Sequence, residues 1–220
     1  MSKGAPYSSP PCMAHEFDPD SPDPEQAREV ARWRRAERLR LAELRGGLDQ
    51  SGRAQVSIAV SRHLGSVLAA RNIGILSGYW PIKREPDLRP LLSQLHHSGV
   101  TIVLPVVETR AAPLVFRRWT PETRMIRGDW NIPVPPPDAE QLCPDIALAP
   151  CLGWDARCFR LGWGGGYFDR TLATLHPRPY TIGIALSAAV LKTIYPQPHD
   201  IPLDMIVTEH GIAAQRMDLS

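Results

Sequence analysis

Arg160-Leu161-Gly162-Trp163-Gly164-Gly165-Gly166-Tyr167-Phe168-Asp169-Arg170 sets four glycines within five positions, directly ahead of a segment with helical character. Glycine accepts positive φ and lets a backbone approach a ligand closely. A helix start leaves its first N–H groups unpaired and carries a partial positive charge. Together these features make an anion site, most often for phosphate. The flanking charges agree: Arg160 and Arg170 can face phosphate oxygens, and Asp169 joins them if a cation such as Mg²⁺ lies between. The spacing is not a dinucleotide fingerprint, because the sixth position is Tyr167, and no Gly-Lys-Ser/Thr ends it as in a P-loop. The plainer alternative is a tight strand-to-helix turn, for which one or two glycines suffice.

Outward from the loop, the chain alternates. Asp145 to Pro150 is short and apolar, as a central parallel strand should be. Ile73 to Tyr79, Val100 to Val107, Leu114 to Trp119, Tyr180 to Leu186, Met205 to Thr208 and Ile212 to Gln215 supply further strands. Pro86 to His97 and Tyr167 to Leu175 read as helices. Alternating strands and helices predict a single α/β domain: a mixed, mostly parallel sheet flanked by helices, with an N-terminal helical segment. Ligands of such sheets bind at the carboxyl ends of the strands, where the glycine loop is expected. The first helix is capped by Asp23, with Pro24 at its first position and Gln26 as capping-box partner, and stops at Gly46-Gly47. It carries Arg28, Arg32, Arg34, Arg35, Arg38, Arg40 and Arg45, only partly offset by Glu25, Glu29, Glu37 and Glu43, and a solvated face with i,i+4 ion pairs is the plain reading. A second helix spans about Gly52 to Ala70, with Val56, Val60, His63, Leu64, Val67 and Leu68 on one face, where His63 reads as a core or boundary histidine rather than a ligand. Residues 1–22, rich in Pro, Ser and Asp, predict a disordered tail, residues 23–216 the folded domain and 217–220 a short C-terminal tail.

Composition narrows the function classes. The 220 residues are 43% hydrophobic and 22% charged, as in a soluble globular protein. A net charge of +2 gives no global argument for nucleic acid or an anionic membrane. No apolar run reaches the length of a membrane span, and no signal-peptide core opens the chain, so the cytoplasm is the expected compartment. Cys12, Cys143, Cys151 and Cys158 show no C-x-x-C spacing, which disfavours a zinc site.

The glycine stretch resembles Arg-Leu-Gly-x-Gly-x-Gly-Tyr-Tyr/Phe-Asp, the signature of the 5-formyltetrahydrofolate cyclo-ligase (methenyltetrahydrofolate synthetase) family. Other segments are similar to the family in order and spacing. Tyr79 to Asp87 looks like its strand-end segment, and Asp129-Trp130-Asn131-Ile132-Pro133 resembles its Trp-Asn-Ile loop. Pro144 to Asp155 and the closing Pro198 to Thr208 agree as well. The resemblance runs from about Arg28 to Thr208, with Trp163 at a variable position and Phe168 for tyrosine.

What this implies is an enzyme using ATP and Mg²⁺ to cyclise 5-formyltetrahydrofolate to 5,10-methenyltetrahydrofolate through a phosphorylated formyl group. Its partners are those two substrates, without nucleic acid or membrane, and a monomer is expected. Leu161, Gly162, Trp163, Gly164, Gly165, Gly166, Tyr167 and Phe168, together with Arg28, Arg32 and Arg160, would meet ATP. Tyr79, Glu85, Trp130, Gly164 to Gly166 and Tyr167 would hold the folate, with Glu85 accepting paired N–H donors from the pterin. Asp169 and Asp200 would hold Mg²⁺, and Arg160, Tyr167 and Asp169 are the catalytic candidates. From the residues alone, Glu85 is equally a helix-start charge, Trp130 a loop anchor, and Asp204 as good an acid as Asp200. Two alternatives stand beside the enzyme: an inactive folate- or nucleotide-binding regulator of the same family, and an arginine-rich nucleic-acid binder.

Overall fold

The protein is described over residues 24–216 by a computed structural model. The expected tails at 1–22 and 217–220, and the capping Asp23, lie outside those residues. Two long helices come first, α1 (Pro24–Gly46) and α2 (Gln50–Ala69), the second capped by Asp49, whose Oδ1 accepts the Gly52 N–H at 2.7 Å. Then follow β1 (Ile75–Ser77), α3 (Arg89–His97), β2 (Thr101–Val106), β3 (Val115–Trp119), β4 (Ile126–Arg127), β5 (Pro133–Val134), β6 (Ile146–Pro150), β7 (Gly153–Asp155) and β8 (Arg160–Leu161). The chain closes with α4 (Tyr167–Thr174), β9 (Tyr180–Ile184), β10 (Val190–Leu191), β11 (Met205–Thr208) and β12 (Gly211–Gln215).

The main sheet has seven strands in the order β12-β11-β9-β6-β1-β2-β3. β11, β9, β6, β1 and β2 run parallel, and the two edges, β12 and β3, are antiparallel. The expected α/β class with a mixed, mostly parallel sheet is therefore the one found. Period-two alternation sorts the strand side chains onto two cores. Ile146, Leu148, Ile182, Ile184, Met205 and Val207 point to one face and pack with α2 and α3 through Leu64, Leu68, Leu91 and Leu92. Ala149, Cys151 and Ile206 point to the other, against Trp33 and Leu41 of α1 and Leu172 of α4.

The boundaries differ from the sequence reading in ways that matter for the site. The strand expected over 73–79 contracts to Ile75–Ser77, and the helix expected from Pro86 starts at Arg89. Tyr79 donates its hydroxyl to the Pro86 carbonyl at 2.8 Å, and Asp87 Oδ1 accepts the Arg89 N–H at 3.0 Å, so residues 78–88 form a braced loop instead. A small sheet, β10-β7-β8, was not expected, because strands of two or three residues carry no readable period. It carries the chain from the end of β6 to the glycine loop.

Candidate active site

The glycine loop follows β8 and ends at α4. Gly164 and Gly166 have φ of +98° and +63°, the left-handed region that favours glycine. Gly166 is the residue before the helix, and no side chain caps the α4 start. The loop thus presents an uncapped helix N-terminus, as an anion site requires.

Arginines from α1 lie against this loop, but not the expected pair. Arg28 and Arg32 are exposed. Arg34, Arg38, Leu41 and Arg45 recur at helical spacing on another face, roughly 120° round the helix from Arg28 and Arg32 at about 100° per residue. Arg38 donates from Nε to the Gly162 carbonyl at 2.8 Å, and a Cβ on Gly164 would lie 3.4 Å from its guanidinium carbon. Burial and the neighbouring Arg34 pull the Arg38 pKa down, against the pull of Asp200. Arg34 is buried, donating to the Ile194 and Tyr195 carbonyls and to both oxygens of Asp200. The 34–38–41–45 row, which includes buried Leu41, is the signal that marks the face turned toward the loop.

The two candidate metal acids are brought together through one loop. Asp169 Oδ1 accepts from Arg160 Nη2 at 2.9 Å and from the Ile201 N–H at 3.0 Å. Asp200, the residue before Ile201, accepts from Arg34 and from the Gln197 N–H at 2.6 Å. Asp204 is elsewhere, accepting from Thr181 and Arg178. Asp169 Oδ2 takes no hydrogen bond among the described residues, whereas both oxygens of Asp200 are engaged. Among those residues no group of three metal-binding side chains occurs. Mg²⁺ is commonly held by one or two carboxylates with phosphate oxygens and water completing the shell, so this donor set fits it through Asp169.

Arg160 is mostly buried, ion-paired to Asp169 and stacked at 4.9 Å over Phe168, and its Nη1 donates to the Ile201 carbonyl. Arg170 turns back to the Gly165 carbonyl and lies 4.9 Å from the Tyr167 ring centroid. Tyr167 accepts the Ala111 N–H at its hydroxyl and meets Trp130 edge-to-face at 5.6 Å. Trp130 is not a loop anchor: it is 64% exposed, and it and Asn131 adopt left-handed φ of +53° and +61°. Left-handed non-glycine residues cluster at functional sites. Tyr79 is buried beneath the loop as its brace rather than lining a cleft, and burial raises its pKa well above the usual phenol value.

Glu85 is also buried. The four residues Ile82 to Glu85 form a tight turn with Lys83 and Arg84 at φ +46° and +62°, closed by the Glu85 N–H to the Ile82 carbonyl at 2.9 Å. Two consecutive positive φ values define a primed turn, which usually takes Asn or Gly. Here Glu85 Oε2 accepts the Ile82 N–H at 3.0 Å, Arg84 donates to the Gly46 carbonyl, and Lys83 Nζ lies 4.0 Å over the Trp163 ring. The Trp163 indole N–H donates to Glu85 Oε1 at 3.1 Å. Desolvation pushes the Glu85 pKa up, and the bonds from Ile82 and Trp163, with Arg45 and Lys83, pull it back in part. A glycine-rich loop and a buried carboxylate 78 residues away in sequence are therefore in direct contact.

The sequence profile of the 5-formyltetrahydrofolate cyclo-ligase family matches residues 30–209. The chain belongs to that family. It is 31% identical over 130 residues to the 5-formyltetrahydrofolate cyclo-ligase of Escherichia coli, across 56% of this chain and 71% of that protein. It is 32% identical over 147 residues to that of Mycolicibacterium smegmatis, across 63% of this chain and 75% of that one. Its fold is similar to the 5,10-methenyltetrahydrofolate synthetase of Aquifex aeolicus, with a TM-score of 0.74 and 27% identity over 85% of this chain and 95% of the other. Family and neighbours make this chain a ligase of folate one-carbon chemistry. No helix among the described residues is long and apolar enough to cross a membrane.

Proposed function

We propose that the protein uses ATP and Mg²⁺ to convert 5-formyltetrahydrofolate to 5,10-methenyltetrahydrofolate, releasing ADP and phosphate. The observation that carries this reading is the contact of the glycine loop with Glu85, which puts a phosphate-binding element beside a carboxylate suited to a pterin edge. The formyl oxygen attacks the γ-phosphate, giving an imidate phosphate. The N10 nitrogen then closes the ring, and phosphate leaves with the former formyl oxygen. A formamide oxygen is a poor leaving group, and phosphorylation makes it a good one.

Little covalent work falls to the protein, so positioning and charge neutralisation dominate. The N–H groups of Gly162 to Phe168 and the α4 start cradle the phosphates. Arg38 and Arg34, rather than Arg28 and Arg32, supply positive charge from α1. Arg160 holds Asp169 in place beside them. Mg²⁺ on Asp169, with Asp200 at its side, would neutralise phosphate charge. Glu85 accepts the paired N–H donors of the pterin, and Trp130 and Tyr167 form an aromatic wall for the flat ring system.

The test is direct. Purified protein with ATP, Mg²⁺ and 5-formyltetrahydrofolate should develop methenyl absorbance in the near ultraviolet, with ADP formed in equal amount. Methenyl product in the absence of ATP, or none in its presence, overturns the reading.

A further inference from the structure

The backbone N–H of Trp163 belongs to the phosphate cradle just described, but its indole side chain has no part in that reaction and is bonded within the site. Its indole N–H is bonded to Glu85 Oε1, its ring lies under the Lys83 ammonium at 4.0 Å, and the Arg45 guanidinium carbon is 5.9 Å from its centroid. A flat heterocycle donating an N–H to a buried carboxylate is the contact a pterin would make there. We propose that Trp163 is an autoinhibitory self-ligand: it occupies the Glu85 carboxylate when the site is empty, and the incoming folate must displace it. This rests on the functional reading above, in which Glu85 binds the pterin.

Three features of the structure support a contact built to exchange. The first is its location. Trp163 lies between Gly162 and Gly164 in the segment joining β8 to α4, outside any strand or helix, so the indole can leave without unfolding an element. Its side chain is only partly buried, whereas Glu85 is 7% exposed. The second is what remains when it leaves. Arg45 is 2% exposed, its Nη2 donates to the Cys151 carbonyl, and its Nε and Nη1 have no hydrogen-bond partner. Nη1 stands 3.9 Å from Glu85 Oε1 and keeps a positive charge against the carboxylate in either state. The third is the turn. Lys83 and Arg84 hold left-handed backbone that neither residue favours, tied at one end to α1 and at the other to Trp163. Losing the Trp163 contact leaves Lys83 above a flat space open to another ring.

The groups facing Glu85 are Arg45 from α1, Lys83 in its own turn, Tyr79 after β1 and Cys151 after β6, with the Trp163 N–H from the glycine loop. Of these, only the Trp163 bond is lost when the ligand arrives. A ligand bonded to Glu85 requires the carboxylate, so its affinity falls as pH drops through the Glu85 pKa, which burial places above the ordinary glutamate value.

The experiment uses the full chain with Trp indole nitrogens labelled, comparing wild type, Trp163→Phe and Glu85→Gln. The Trp163 indole N–H resonance, identified by its loss in Trp163→Phe, should titrate with Glu85 in the wild type and stop titrating in Glu85→Gln. Saturating 5-formyltetrahydrofolate should move it to a solvent-exposed position. Calorimetry at pH 8 should give about three- to tenfold tighter 5-formyltetrahydrofolate binding for Trp163→Phe, less than the full value of a bond to a charged acceptor because water replaces it. The acid limb of that affinity should shift to higher pH in Trp163→Phe, since a hydrogen bond that stabilises the carboxylate is gone. A purely structural tryptophan would give weaker binding in Trp163→Phe and a wild-type indole resonance that ligand does not move. Binding heat in the wild type with an unmoved Trp163 resonance overturns the proposal while leaving the functional reading intact. Absence of both binding and methenyl product in the wild type removes that reading, and the proposal with it.

Discussion

At the residue scale, the site is made by arginines whose partners lie far away in sequence. Arg34 and Arg38 share a helix face with Leu41 and Arg45, and each of the three arginines reaches a backbone carbonyl in the second half of the chain. Arg34 and Arg45 are too deeply buried to be informative probes of binding, because removing either strands a partner: Asp200 for one and Glu85 for the other. Arg38 is the clean case. It is half-buried, it lies across Gly162 and Gly164, and it has no acidic partner within hydrogen-bonding distance among the described residues. Arg38→Ala should weaken binding of a non-hydrolysable ATP analogue by about ten- to a hundredfold, the value of a hydrogen bond to a charged group, with 5-formyltetrahydrofolate affinity kept. Arg28→Ala with Arg32→Ala should leave both affinities unchanged. Calorimetry on the three proteins checks this, and equal ATP binding by Arg38→Ala and wild type would reject the assignment.

At the element scale, the glycine loop is not uniform. Gly164 and Gly166 need glycine for conformation, whereas Gly162 has an ordinary φ and open space where a Cβ would go. Gly164→Ala should destabilise the protein by about 1–2 kcal/mol, the cost of a left-handed L-residue. Gly162→Ala should leave the melting temperature within about a degree of wild type. Both should weaken ATP binding, because the added methyl at 162 stands in the space that the phosphates are proposed to fill. Thermal melts with and without ATP analogue separate the two effects, and normal ATP binding by Gly162→Ala would place the phosphates elsewhere.

At the scale of the whole molecule, α1 is both a wall of the site and one side of a core. Leu41 is fully buried, and a Cβ on Gly153 would approach its Cδ1 to 2.6 Å, so α1 is packed tightly on the small sheet that feeds the glycine loop. Leu41→Ala should cost about 2–5 kcal/mol of stability. Because the same helix carries Arg34, Arg38 and Arg45, ATP affinity should fall along with stability, unlike in Arg38→Ala, where stability is kept. Denaturant unfolding and calorimetry on both variants make the comparison. Full ATP affinity in Leu41→Ala would show that α1 needs no core packing to present its arginines.

Much of this arrangement was legible from residue types in order. Glycines before a helix permit positive φ, used here at Gly164 and Gly166, and supply no capping side chain wherever the chain goes, and that property is local. The central strands could be read because β-branched and aliphatic runs bury on both faces of a parallel sheet. Asp169 and Glu85 stood out as charges beside turns. What tertiary structure decided was which of several equivalent residues meet. Seven arginines on α1 look alike in sequence. Only the helix's rotation turns Arg34, Arg38 and Arg45 inward, and that rotation is set by Trp33 and Leu41 packing into the core that holds Ala149 and Ile206. Asp200 and Asp204 look alike in sequence, and only the fold puts the 200–201 loop against Asp169 and Asp204 against Thr181. The Trp163–Glu85 bond had no sequence signal at all, since it joins two loops 78 residues apart through a sheet that positions both. Local backbone chemistry needs only neighbours along the chain, whereas the choice among like side chains needs the long-range packing that orients each element.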